Sequence, residues 1–280
     1  MRSSNPVMRS LTDGEQRGQQ SGYGAPGVQD SPYGPQSTYQ SGYDAASGQQ
    51  ARPMTVDDVV TKTGITLAVI VVMAIVNFGL ALMGHEGVTM ALTAVGAIGG
   101  FIMTLISTFG RKFGSAWVTL IYAVFEGLFV GGISIVFAGY SVGGSNMMTM
   151  IGQAIIGTVG VFVGMLFVYK TGAVKVTPRF NKIMMGAIIG VVVLALGNLL
   201  LFMFTGMNPL RGGGTLAIIF SLVCIGLAAM SFLTDFDQAD RLVRAGAPAN
   251  YAWGVALGLA VTLVWLYTEI LRLLSYFNNR

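Results

Sequence analysis

The sequence predicts an all-α, polytopic membrane protein: seven transmembrane helices behind an N-terminal tail that does not fold. Three observations carry this. Only 10% of the 280 residues are charged, against about 25% in an ordinary soluble domain. Mean hydropathy is +0.67, and the 39 glycines fit the raised glycine use of membrane helices. Past residue 58, the apolar residues gather into seven runs, each near the ~20 residues that cross a bilayer core.

The tail, residues 1–58, is rich in Gly, Gln, Ser, Pro and Tyr, with Ser-Gly-Tyr at 21–23 and again at 41–43. It has no apolar period and cannot bury enough surface to offset its ordering entropy. Disorder and a solubilising spacer role are expected there, with the helical domain over 59–280. Before the first span, Thr55 is placed to cap a short interfacial helix, with Asp57 and Asp58 favourable in its first turn. The spans follow at roughly 64–84, 88–108, 114–138, 147–170, 183–205, 215–235 and 251–276. The first lies well beyond the usual ~15–30-residue signal region, so it is expected to anchor the chain.

Basic residues set the expected orientation. The connections after spans two, four and six hold Arg111 and Lys112, then Lys170, Lys175, Arg179 and Lys182, then Arg241 and Arg244. The opposite connections hold only Arg211. The positive-inside rule therefore puts the tail in the cytoplasm and, with seven spans, the C-terminus outside a cell membrane. The net charge of +4 reflects this loop bias and does not point to nucleic acid. Gly96/Gly100, Gly127/Gly131, Gly160/Gly164, Gly186/Gly190 and Gly254/Gly258 repeat at four-residue spacing. In lipid that spacing lets helices approach closely, within the bundle or between copies.

Few residue types capable of chemistry remain. The one Cys, Cys224, cannot form an internal disulfide, and the one His, His85, leaves no histidine cluster for zinc or haem. There is no phosphate loop and no His-Glu-x-x-His, so no enzyme activity is expected and no cofactor is implied. The polar residues inside the spans are Asn77, Glu126, Gln153, Asn198, Asp235, Asp237, Thr262, Glu269 and Arg272. Ionisable groups there are costly and mark ion or proton paths. Glu126, midway along span three, reads either as a carboxyl bonded to a neighbour such as Asn77 or Asn198, or as a proton site. Asp235 and Asp237 fall at the end of span six, where the helix dipole disfavours carboxylates. Acids kept there read as oxygen ligands for a hard cation such as Ca²⁺, as a proton-sharing pair, or as partners of Arg241 and Arg244. Glu269 and Arg272, three apart, can neutralise each other. Tyr251, Trp253, Tyr267 and Tyr276 read as interfacial aromatics.

Two stretches carry a family resemblance. Gly258-Leu-Ala-Val-Thr-Leu-Val-Trp-Leu-Tyr-Thr-Glu-Ile-Leu-Arg-Leu-Leu274 resembles the last helix of the Bax inhibitor-1/YccA-like family. Leu233-Thr-Asp-Phe-Asp-Gln238 resembles its sixth, and Phe125-Glu-Gly127 is similar to part of its third. The resemblance implies a bundle with the last helix at its centre. It also implies a pH-sensitive calcium leak gated near the cytoplasm by one acid on helix six and one on helix seven. An arginine near the end of helix two, here Arg111, belongs to that gate. Asp235 matches the helix-six acid. On helix seven, aligning Leu271-Arg272-Leu273 puts Thr262 where the family has its acid, with Glu269 about 10 Å further along. The leading expectation is passive cation movement, Ca²⁺ coupled to H⁺, gated by Asp235 and Asp237 with Glu126 and Glu269 along the path. The other is a non-conducting regulator, since YccA-like members modulate a membrane-bound AAA protease.

Overall fold

The structure is a computed structural model that describes residues 52–110, 112–142 and 147–278. The expected disorder of the tail up to residue 51, and the position of Arg111, lie outside the described residues. Seven helices follow one another: α1 Val56–Leu82, α2 Glu86–Phe109, α3 Ala116–Val142, α4 Met147–Thr171, α5 Pro178–Thr205, α6 Thr215–Arg244 and α7 Ala252–Asn278. All seven are long and apolar enough to cross a membrane.

Helix α7 is the most enclosed, with 78% of its apolar stretch buried against 6% for α5. It packs on α1, α3, α4 and α6, so the expected central position holds. Helix α2 rests mainly on α3, and α5 leans on α6. In lipid, where apolar contact alone does not drive association, small residues let backbones close up. Thus Gly96 of α2 faces the Phe125 carbonyl of α3, while Gly127 and Gly131 of α3 face the Ile70 and Ala74 carbonyls of α1. Gly160, Gly164, Gly186 and Gly190 have no neighbour in the space a side chain would occupy. Identical spacing therefore serves packing in α2 and α3 but not in α4 and α5.

Two boundaries differ from expectation. Thr55 does cap a helix, but that helix is the first span itself rather than a separate interfacial one. The Thr55 hydroxyl accepts from the Asp58 amide at 3.2 Å, and Asp58 Oδ2 accepts from the Thr55 amide at 3.0 Å. Arg52 grips the same carboxylate at 2.6 Å. Residues 52–58 therefore belong with the helical unit, not with the tail. At the other boundary, α6 continues to Arg244 instead of ending near 235. Its last turns are held by Asp237–Arg241 and Asp240–Arg244 pairs at 2.7 and 2.9 Å, the (i, i+4) spacing that supports an exposed helix beyond its apolar run.

The N-terminal side of α1, the α2–α3 link and the α6–α7 link meet at one end of the bundle. Met54 N–H donates to the Ala247 carbonyl at 2.7 Å, and Ala249 N–H donates to that of Arg52 at 2.9 Å. Met54 is thereby buried beside Phe232, Phe236 and Val255. Lys62 donates to the Ala249 carbonyl and lies over the Trp253 ring. This is the end where the basic connections lie.

Candidate functional site

The extension of α6 changes the setting of its acids. Asp235 and Asp237 are inside the helix, two turns or so before its last residue, so the unfavourable dipole at a C-terminus does not act on them. Residues two apart on a helix do not face each other, and the three positions here diverge. Asp237 turns to Arg241, a partly exposed pair. Phe236 turns to α4, meeting Phe162 and Tyr169 ring to ring. Asp235 turns inward to α7, where Thr262 Oγ1 donates to its Oδ2 at 2.7 Å.

Asp235 and Asp237 therefore form no proton-sharing pair and no joint calcium cradle. Among the described residues, no cluster of three or more His, Cys, Asp or Glu is placed to hold a metal ion. Instead the fold brings Asp235 to Thr262, bridging the two innermost helices. Thr262 lies ten residues into α7, about 15 Å from its start. Nor does any ion pair among the described residues include Asp235: the four present are Arg52–Asp58, Asp237–Arg241, Asp240–Arg244 and Glu269–Arg272. Of the two acids, Asp237 makes the expected pair with Arg241 and Asp235 does not.

Glu269 and Arg272 do neutralise each other, at 2.6 Å, with both side chains buried. The Arg272 guanidinium also lies over the Phe137 ring at 5.3 Å. The pair is not fully satisfied: Glu269 Oε2 and Arg272 Nε have no partner among the described residues. It sits beyond Thr262, toward the opposite end of α7.

Glu126 bonds neither Asn77 nor Asn198. Its Oε2 fills the space a side chain at Gly100 would take, so the α2–α3 contact closes over the carboxylate. Asn77 instead ties three helices, donating to the Leu128 carbonyl at 2.6 Å and to Thr93 Oγ1 at 3.1 Å. Asn198 fastens the α5–α6 link by donating to Asn208 Oδ1 at 2.6 Å and accepting from Leu210 N–H at 3.0 Å. Gln153 is exposed on α4.

Two of the four aromatics read as interfacial are internal. Tyr267 shares a hydrogen bond with Ser134 of α3 at 2.8 Å, and Tyr276 donates to the Arg211 carbonyl at 3.3 Å. Both are buried, because α7 is central along its whole length. The anchoring of Met54 escaped sequence reading altogether; the one signal was Arg52-Pro53 leading directly into a capping motif.

A search of curated proteins gives no match. The family model described as Bax inhibitor 1 like matches residues 5–279, nearly the whole chain. Seven helices long and apolar enough to span a membrane agree with that match. The chain is a member of the Bax inhibitor 1 like family.

Proposed function

We propose that the protein is a passive cation conduit, with calcium as permeant, whose opening is governed by protonation of Asp235. One observation carries the reading. A half-buried carboxylate of α6 faces the central helix, with a neutral hydroxyl as its only described side-chain partner. Placing an acid at that depth costs energy, about 2.5–3.5 kcal/mol at a span centre on insertion scales, and such groups mark ion or proton paths. The single Thr262 bond ties α6 to α7, and Asp235 Oδ1 has no hydrogen-bond partner among the described residues, which suits a cation or proton site. When the acid is neutral, it attracts no cation and holds Thr262 less strongly, since bonds to charged acceptors are the stronger kind. The two helices then shift between two arrangements. The basic end faces the cytoplasm in this reading, as the positive-inside rule expects. No catalytic step is involved.

The test is ⁴⁵Ca²⁺ uptake into proteoliposomes across a pH series, with Asp235→Asn, Asp237→Asn and Thr262→Asp alongside the unmodified protein. Asp235→Asn is expected to remove the pH dependence. Asp237→Asn is expected to leave it, because that acid faces Arg241. Thr262→Asp sets two acids within hydrogen-bond reach and is expected to move the pH midpoint upward, since like charges that close cannot both ionise. Uptake indifferent to all three substitutions removes the proposal.

A second reading, a non-conducting regulator docked on a membrane partner such as an AAA protease, is favoured by the open glycine faces of α4 and α5. Zero flux together with partner capture lost in a Gly160→Leu/Gly186→Leu variant would select it.

A further inference from the structure

At the end opposite the basic one, a groove of about 350 Å³ runs between α5 and its link to α6. Asn198, Asn208 and Arg211 line its polar side, and Ala195, Leu199 and Phe202 its apolar side. Gly206, with φ of 72°, turns the chain back on α5 and brings Asn208 and Arg211 to the level of Asn198. The Asn198–Asn208 bond fixes both carboxamides, yet Asn208 Nδ2 donates to nothing among the described residues. Arg211 is in no ion pair there either, and no acid lines the groove. It is also the only Lys or Arg in the three connections at this end. The groove thus offers a guanidinium and an amide N–H with no acid among its described lining residues, and Glu269, already paired with Arg272, acts on Arg211 only from beyond ion-pair distance. Its other wall is half-exposed apolar surface that continues toward the middle of α5: Val192 and Leu196 are 49% and 55% exposed, on a helix supported chiefly by α6.

We propose that this groove binds a membrane phospholipid, its phosphodiester held by Arg211 and Asn208 and one acyl chain laid along Leu196 and Val192, toward the middle of α5. Charge complementarity selects the phosphate: guanidinium groups match its oxygens and gain from a charge-assisted bond. The contiguous apolar wall selects a lipid over a free anion, because a spanning helix places that wall in the hydrocarbon while Arg211 reaches the headgroup layer. A bound lipid fills the gap beside α5 and fastens the least enclosed helix to the bundle.

Native mass spectrometry of the delipidated full-length protein tests this, with three ligands added separately: phosphatidylglycerol, diacylglycerol with the same chains, and inorganic phosphate. The unmodified protein is expected to retain one tight equivalent of phosphatidylglycerol. Diacylglycerol is expected to bind about ten-fold more weakly, as loss of a charged hydrogen bond implies, and phosphate not measurably. Arg211→Gln is expected to weaken phosphatidylglycerol about ten-fold on the same grounds, with Arg211→Lys restoring part of it. Ala195→Trp, which fills the groove without touching the charge, is expected to abolish the tight equivalent and provides a second, independent variant. Undiminished binding in Arg211→Gln or Ala195→Trp overturns the proposal. So does displacement of the lipid by phosphate alone, which would mark a free-anion pocket.

Discussion

Two glycines with the same sequence context separate packing from spacing. A Cβ at Gly127 would lie 2.5 Å from the Ile70 carbonyl oxygen and 2.6 Å from Met73 Cβ. Ordinary contact between heavy atoms is about 3.5 Å, so α1 must retreat from α3 by roughly 1 Å. The obstacle at Ile70 is backbone, which cannot rotate away. Overpacking of this kind costs typically about 1–3 kcal/mol, against which alanine recovers about 0.5–1 kcal/mol of helix propensity. The expected net effect of Gly127→Ala is a loss of about 0.5–2 kcal/mol. At Gly160 nothing lies within 4 Å, so Gly160→Ala keeps only the propensity gain and should be neutral or stabilising by up to about 1 kcal/mol. Unfolding midpoints of both variants in one detergent, read by the same thermal scan, check the pair. Equal shifts in the same direction would refute the assignment of α1–α3 packing to Gly127.

Further outcomes follow from single contacts. Thr262→Val removes the only described side-chain donor to Asp235 and should destabilise by about 1–2 kcal/mol in the same thermal scan, the range of hydrogen bonds between membrane helices and to charged groups. Arg272→Met strands the buried Glu269 carboxylate and should cost about 3–5 kcal/mol, whereas Arg272→Met with Glu269→Gln should recover most of the loss. A double variant as unstable as the single would argue against a buried ion pair. Met54→Ala opens a cavity beneath the α6–α7 link and should cost about 2–5 kcal/mol, with Met54→Leu under about 1.5 kcal/mol. Asn77→Leu leaves the α1–α2–α3 junction without its bridge, and destabilisation of about 1–2 kcal/mol is expected by the same scan.

Composition and hydropathy by themselves determined that this chain builds seven spanning helices, and where each lies to within two or three turns at its ends. The reason is that backbone polar groups in hydrocarbon must pair within the segment, so a long apolar run has one choice of structure. The run could not set the end of α6, because Asp237–Arg241 and Asp240–Arg244 sustain the helix by a different interaction after hydropathy has fallen. The closing Glu-Ile-Leu-Arg-Leu-Leu stretch was enough to suggest the family and a special role for Asp235. Which group Asp235 meets was another matter. Period and spacing fix the directions of side chains on one helix, but the rotation and depth of α6 against α7 arise from packing over many contacts. That packing alone chose Thr262 for Asp235 and sent Asp237 outward to Arg241. It closed Gly100 over Glu126 and left Gly160 facing open space, although both glycines stand in the same four-residue repeat.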